Sequence, residues 1–99
     1  MVSTINFHGW IKIKTMSIRR QRLFEELSFF SQLKVFPSQT NFLLVHCDDA
    51  QSLHSSLIEN GILVKGFSLD SELSNFIRIS VSEPIENNAL LAAIKEYYG

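Results

Sequence analysis

Residues 76–81 read Phe-Ile-Arg-Ile-Ser-Val, and this alternation constrains the fold more than any other stretch of the chain. Side chains on a strand point to opposite faces in turn. Ile77, Ile79 and Val81 therefore share an aliphatic face, while Phe76, Arg78 and Ser80 share a mixed one. The aliphatic face requires a layer of helices over it. The other face carries a guanidinium, which keeps its charge and is costly to bury unpaired. Arg78 must point at water or at an anion, and the mixed face is what the wall of a polar cleft would show.

Other segments supply the covering layer and the rest of the sheet. Residues 42–47 form a nearly continuous apolar run, the pattern of a strand covered on both faces. Residues 33–36 read as a short strand broken by Pro37-Ser38, and residues 62–67, Ile-Leu-Val-Lys-Gly-Phe, as another short strand. A helix is predicted over 17–31, with Leu23, Leu27 and Phe30 on one stripe and Phe24 beside them. Arg19, Arg20 and Arg22 crowd its first turns, where the helix dipole prefers negative charge. A second helix opens at Asp48 and Asp49, where Asp48 and Gln51 have capping-box spacing. Leu53, Leu57 and Ile58 form its stripe, and Asn60-Gly61 stops it. Pro84 marks the first turn of a third helix, whose buried stripe is Asn87, Leu90, Leu91, Ile94, Tyr97 and Tyr98. Trp10 to Lys14 alternates apolar and basic residues, as a half-exposed strand would, but residues 1–16 otherwise show no period and stay unassigned. The expected class is α/β, in detail an α+β two-layer sandwich with helices packed on a small sheet.

At 99 residues with 45 % apolar content the chain makes one domain with one modest core. A net charge of −1 gives no footprint for nucleic acid or an anionic membrane. The apolar runs fall short of a membrane span, and lysines interrupt the N-terminal stretch where a signal peptide needs apolar residues. Cys47 is the sole cysteine, which excludes an internal disulfide and makes a reducing, cytoplasmic setting the expectation. "HCDD" at 46–49 contains metal-ligand types, but neighbours at a strand end face opposite ways, so no metal site is expected. His8 and His54 have no readable triad spacing, and His54 reads as a surface or boundary residue. The arginines of "IRRQR" read as a solvated helix face.

Three stretches, taken together, resemble one family. "VFPSQTNFLLV" carries a Pro-Ser-x-x-Asn-Phe signature. "LIENGILVKGFS" is similar to Leu-Leu-x-x-Gly-Ile-Leu-Val-Arg-Asp, and "FIRISVSEPIENNALLAAI" to Leu-Arg-Ile-Thr-Val-Gly-Thr-Pro-Glu-Glu-Asn. In this order and spacing they resemble the C-terminal small domain of histidinol-phosphate aminotransferases, fold type I enzymes that depend on pyridoxal phosphate. The resemblance runs over about residues 17–98, so 17–99 is the expected small domain. It implies that Arg78 binds the acidic group of an amino-acid or phosphate-ester substrate, which suits a planar guanidinium that can grip a carboxylate with two bonds. It also implies a role in amino-group transfer in histidine biosynthesis.

Departures from the family pattern matter. Lys65 stands in place of the arginine of Val-Arg-Asp, keeping the charge without the fork, so its part in substrate binding is expected to be weaker. Gly66 replaces the aspartate. Ser82 and Glu83 replace Gly-Thr, and losing the threonine cap before Pro84 is expected to cost about 1 kcal/mol. Aminotransferase chemistry further needs a lysine that holds pyridoxal phosphate as a Schiff base, an acid for the pyridinium nitrogen and a phosphate cup. In the resembled family these come from a large domain. The five lysines here have no such context, and the four glycines are isolated. The chain is therefore expected to bind no cofactor alone and to need a large domain, in trans or in a longer chain. Phe29, Phe30 and Phe67 are candidates for contact with it, and homodimerisation is compatible with this reading. The alternative is a non-catalytic small-ligand or protein-interaction module that keeps the fold.

Overall fold

The structure is a computed structural model that describes the backbone of residues 2–99 and the side chains of residues 14–99. Three helices and three strands follow in the order α1 (Val2–Ser28), β1 (Lys34–Val35), β2 (Phe42–His46), α2 (Ala50–Glu59), β3 (Phe76–Ser80) and α3 (Pro84–Tyr98). The sheet is antiparallel with order β1-β2-β3, and Leu44 lies opposite Arg78 in the β2–β3 register. All three helices pack toward one side of it, which gives the expected α+β two-layer arrangement.

The core lies between the layers. Leu43 and Val45 of β2 and Ile77 and Ile79 of β3 point inward, against Leu23 and Leu27 of α1, Leu53 and Leu57 of α2, and Leu90 and Ile94 of α3. The aliphatic face of β3 is buried as its alternation requires. On β2 the expectation of two covered faces does not hold. Phe42, Leu44 and His46 are only half-buried, because no second helical layer lies on their side. Aromatic neighbours shield them instead: Phe76 meets Phe36 at 5.9 Å and His46 at 5.0 Å between ring centroids.

Other expectations change as well. Residues 10–14 lie inside α1 rather than in a strand; without a neighbouring strand to pair with, the helix is what satisfies their main chain. This also relocates Arg19, Arg20 and Arg22. They sit well along a 27-residue helix, away from the positive end of its dipole. The helix stops at Ser28, and residues 29–32 turn toward β1.

The strand expected over 62–67 shrinks to one antiparallel bridge, Lys65 to Arg78. The cause lies in what precedes it. Gly61 adopts φ +79°, and α2 closes in a Schellman motif: the Gly61 N–H bonds the Ile58 carbonyl at 3.0 Å and the Ile62 N–H bonds the Leu57 carbonyl at 2.9 Å. The chain leaves α2 held to that helix and reaches β3 only at Lys65.

The expected capping box is also not formed. Asp49 is the N-cap of α2 with no side-chain cap bond, and it accepts a hydrogen bond from the Tyr98 hydroxyl at 3.0 Å instead. At α3, Glu83 likewise makes no cap bond. Asn87 compensates from inside the helix: its amide donates to the Ser82 carbonyl at 2.9 Å, and its Oδ1 accepts the Ser82 N–H at 3.0 Å.

Candidate acid-binding site

Alternation along β3 turns Arg78 onto the face that the helices leave uncovered, where its side chain is exposed. Two neighbours define its setting. On the β2 side, the guanidinium carbon stands 4.9 Å from the centre of the Phe42 ring, a cation–π contact that supports the planar group without using its N–H donors. On the other side, the Lys65 N–H bonds the Arg78 carbonyl at 3.0 Å, and the Arg78 N–H bonds the Lys65 carbonyl at 2.9 Å. Residues that exchange both bonds in an antiparallel bridge send their side chains to the same face. Both cations named from the sequence therefore stand side by side.

Among the described residues, neither cation has a carboxylate within ion-pair distance; the Arg22–Glu26 pair, at 3.0 Å, lies on α1. Two like charges held adjacent without a counter-charge repel, and an anion between them would be drawn by both. Lys34, at the far side of the same face, lies 5.4 Å from the Phe36 ring. The helix-free face thus combines three cations with an aromatic floor.

Two cavities among the described residues lie away from this face. A cavity of about 280 Å³ lies between α1 and α3, beside Ile18, Leu23, Asn87 and Leu91, and another of about 460 Å³ lies beside residues 61–64 and the start of α3. Neither includes Arg78 or Lys65.

The remaining candidates separate. His46 packs on Phe76 at the open face, Cys47 is buried in the core and Asp48 is exposed, so "HCDD" does not converge. Burial, then the nearby Asp49 carboxylate, pushes the Cys47 thiol up to about 11. Burial and the bond to Asp49 likewise raise Tyr98. Arg20 donates to the Thr40 carbonyl at 2.9 Å, so the α1 arginines are partly engaged within the chain. Phe29 is 86 % exposed, while Phe30 packs on Tyr98 with ring centroids 6.4 Å apart. His54 is the boundary residue expected, half-buried, and its Nε2 donates to the Val64 carbonyl at 3.1 Å. Neither that contact nor the Phe42 support is legible in the sequence, because each depends on how separate segments pack.

In fold and in sequence this two-layer α+β arrangement is similar to a domain of fold type I aminotransferases. No family model matches the chain. Within that class its sequence matches histidinol-phosphate aminotransferases: the one from Hydrogenobaculum sp. is 44 % identical over 85 residues, 86 % of this chain and 24 % of that protein. Among solved structures, histidinol-phosphate aminotransferase from Sinorhizobium meliloti, in complex with pyridoxal-5'-phosphate, superposes with a TM-score of 0.64. It is 29 % identical and covers 82 % of this chain and 23 % of that one. L-threonine-O-3-phosphate decarboxylase from Porphyromonas gingivalis superposes with a TM-score of 0.76 at 20 % identity, over 86 % of this chain and 27 % of that one, a likeness of fold alone. The chain spans about a quarter of the length of the relatives it matches.

Proposed function

We propose that residues 17–99 are the C-terminal, substrate-acid-binding small domain of a histidinol-phosphate aminotransferase-like enzyme, serving amino-group transfer in histidine biosynthesis. Arg78 grips the acidic group of an amino-acid or phosphate-ester substrate with its planar fork, and Lys65 adds a second, less directional charge. Held there, the substrate has its reacting amine fixed in position, which lowers the barrier by orientation rather than by bond chemistry. The observation that carries this reading is the pairing of Lys65 and Arg78 on the one sheet face without helices.

The described side chains do not themselves fit pyridoxal phosphate. Lys34, Lys65 and Lys95 are exposed, and Gly61, Gly66 and Gly99 are isolated, with no glycine-rich turn opening a helix to cradle a phosphate. Lys12 lies outside the described side chains. In this proposal the cofactor and its lysine belong to a large domain, in trans or in a longer chain, which closes over the helix-free face and completes the pocket. The lone, buried Cys47 suits a cytoplasmic setting. Among the described residues no helix is long and apolar enough to cross a membrane.

The test incubates the chain with pyridoxal phosphate, reduces with borohydride and measures mass. No stoichiometric adduct at a single lysine is expected, and such an adduct would overturn the assignment of the cofactor to a second body. A non-catalytic module is distinguished by activity: adding an aminotransferase large domain should restore transamination only if the chain is part of an enzyme.

A further inference from the structure

Lys65 sits on a segment that touches the sheet at a single bridge, yet its backbone is held on both sides. The holding groups come from α2. His54 and Gln51 are three residues apart, hence on one face of that helix. His54 Nε2 donates to the carbonyl of Val64, the residue just before Lys65, at 3.1 Å. Gln51 Nε2 donates to the carbonyl of Phe67, two residues after Lys65, at 2.9 Å, and to that of Ser74, just ahead of β3, at 2.8 Å. Two side chains thus capture three carbonyls around the turn that joins the two cations.

Gly66 completes the fit. A Cβ at this position would lie 2.9 Å from Cδ2 of the His54 ring, closer than real Cβ contacts come, and a tight 3.0 Å from its Cγ and Nε2. The imidazole occupies the space that a side chain at residue 66 would take. Glycine here, where the resembled family carries aspartate, is the partner that a histidine at 54 requires.

We infer that His54 and Gln51 are positioning residues for the Lys65–Arg78 pair, clamping residues 64–67 against α2 so that Lys65 stays in register with Arg78. The inference rests on the reading of that pair as an acid-binding site. The clamp has work to do there, because the single bridge holds two exposed residues whose like charges repel. Besides it, the packing of Ile62 and Val64 on the core and that single bridge hold the segment.

The test uses the full chain with His54→Ala, Gln51→Ala, the double variant, and His54→Gln, which keeps an N–H donor. Amide hydrogen exchange needs no ligand. The His54→Ala change should speed exchange of the Lys65 and Arg78 amides about tenfold while Leu43 and Val45 keep their protection, with His54→Gln restoring part of the loss. Titration with inorganic phosphate, followed by NMR at the Arg78 side chain, should show affinity falling several-fold in step with exchange. Should His54→Ala fail to fold, Gly66→Ala displaces the ring from the opposite side and should produce the same pattern. Unchanged exchange at Lys65 and Arg78 in the double variant overturns the clamp, as does a uniform rise across all amides. Failure of the unaltered chain to bind phosphate overturns the acid-site reading instead, and the exchange data separate the two.

Discussion

Lys65 and Arg78 bind each other's main chain through two hydrogen bonds while their cationic side chains stand together on one face. The backbone favours the pairing and the charges oppose it. That opposition suits the acid-binding site proposed above, and it leads directly to measurable consequences.

Replacing Arg78 should remove most anion affinity. A charge-assisted bond contributes about 1.5–3 kcal/mol, so Arg78→Ala should weaken phosphate binding by about 10- to 100-fold. Arg78→Lys should recover only part of this, because the fork is lost. Lys65→Ala should cost less than Arg78→Ala. Equal losses for both would contradict the division of roles.

The same repulsion predicts a gain in stability. Lys65→Gln should stabilise the anion-free chain by up to about 1 kcal/mol at low salt, and by less as salt screens the pair. Urea unfolding at two ionic strengths measures this. A destabilised variant, or no dependence on salt, would count against a repulsive pair.

Asn87→Ala should cost about 1–3 kcal/mol, since it strips partners from both main-chain groups of Ser82 at the entry to α3. This exceeds what an exposed asparagine on a helix would give. Urea unfolding again decides.

The sequence reading of that helix start was half right, and the reason is instructive. Pro84 at the first turn and the loss of a threonine cap are local features, visible in order along the chain. The Asn87 bond is also local, but the residue fits the apolar stripe so well that its polar role was hidden. β3, α2 and α3 follow from apolar spacing because one buried face fixes each of them, while β2 is legible as a strand from its apolar run but not in which face is covered. What resisted reading depends on contacts between distant segments. The strand over 62–67 fails because α2 holds that turn from another part of the fold, and the pairing of Lys65 with Arg78 is a matter of register that no spacing reveals. The common role proposed for them rests on the resemblance to a family.

Cys47 makes stability depend on alkaline pH. Its thiol is pushed from about 9 to about 11 in the folded chain, chiefly by burial. The unfolded chain therefore releases this proton first. The Cys47 contribution is fully present below about pH 9 and is lost as pH rises toward 11. Unfolding midpoints should fall as pH rises from about 9 toward about 11 in the unaltered chain, and less steeply in Cys47→Ala. An identical slope in both would refute the assignment.

Gly61→Ala tests the Schellman turn. No atom lies within 4 Å of the added carbon, so the whole cost comes from φ +79°. About 1–2 kcal/mol is expected. A neutral result would mean that the turn relaxes without loss.

The brevity of β1 has a consequence for how copies of this chain meet. A sheet edge with free N–H and C=O groups invites another chain to add a strand, and such addition can propagate into fibres. Here one edge is a two-residue strand bearing Lys34, with Pro37 soon after it, and the opposite edge is occupied at its middle by Lys65. Neither margin offers a long, uninterrupted template, so a domain with half of its sheet bare is nonetheless guarded against zipping onto its own kind.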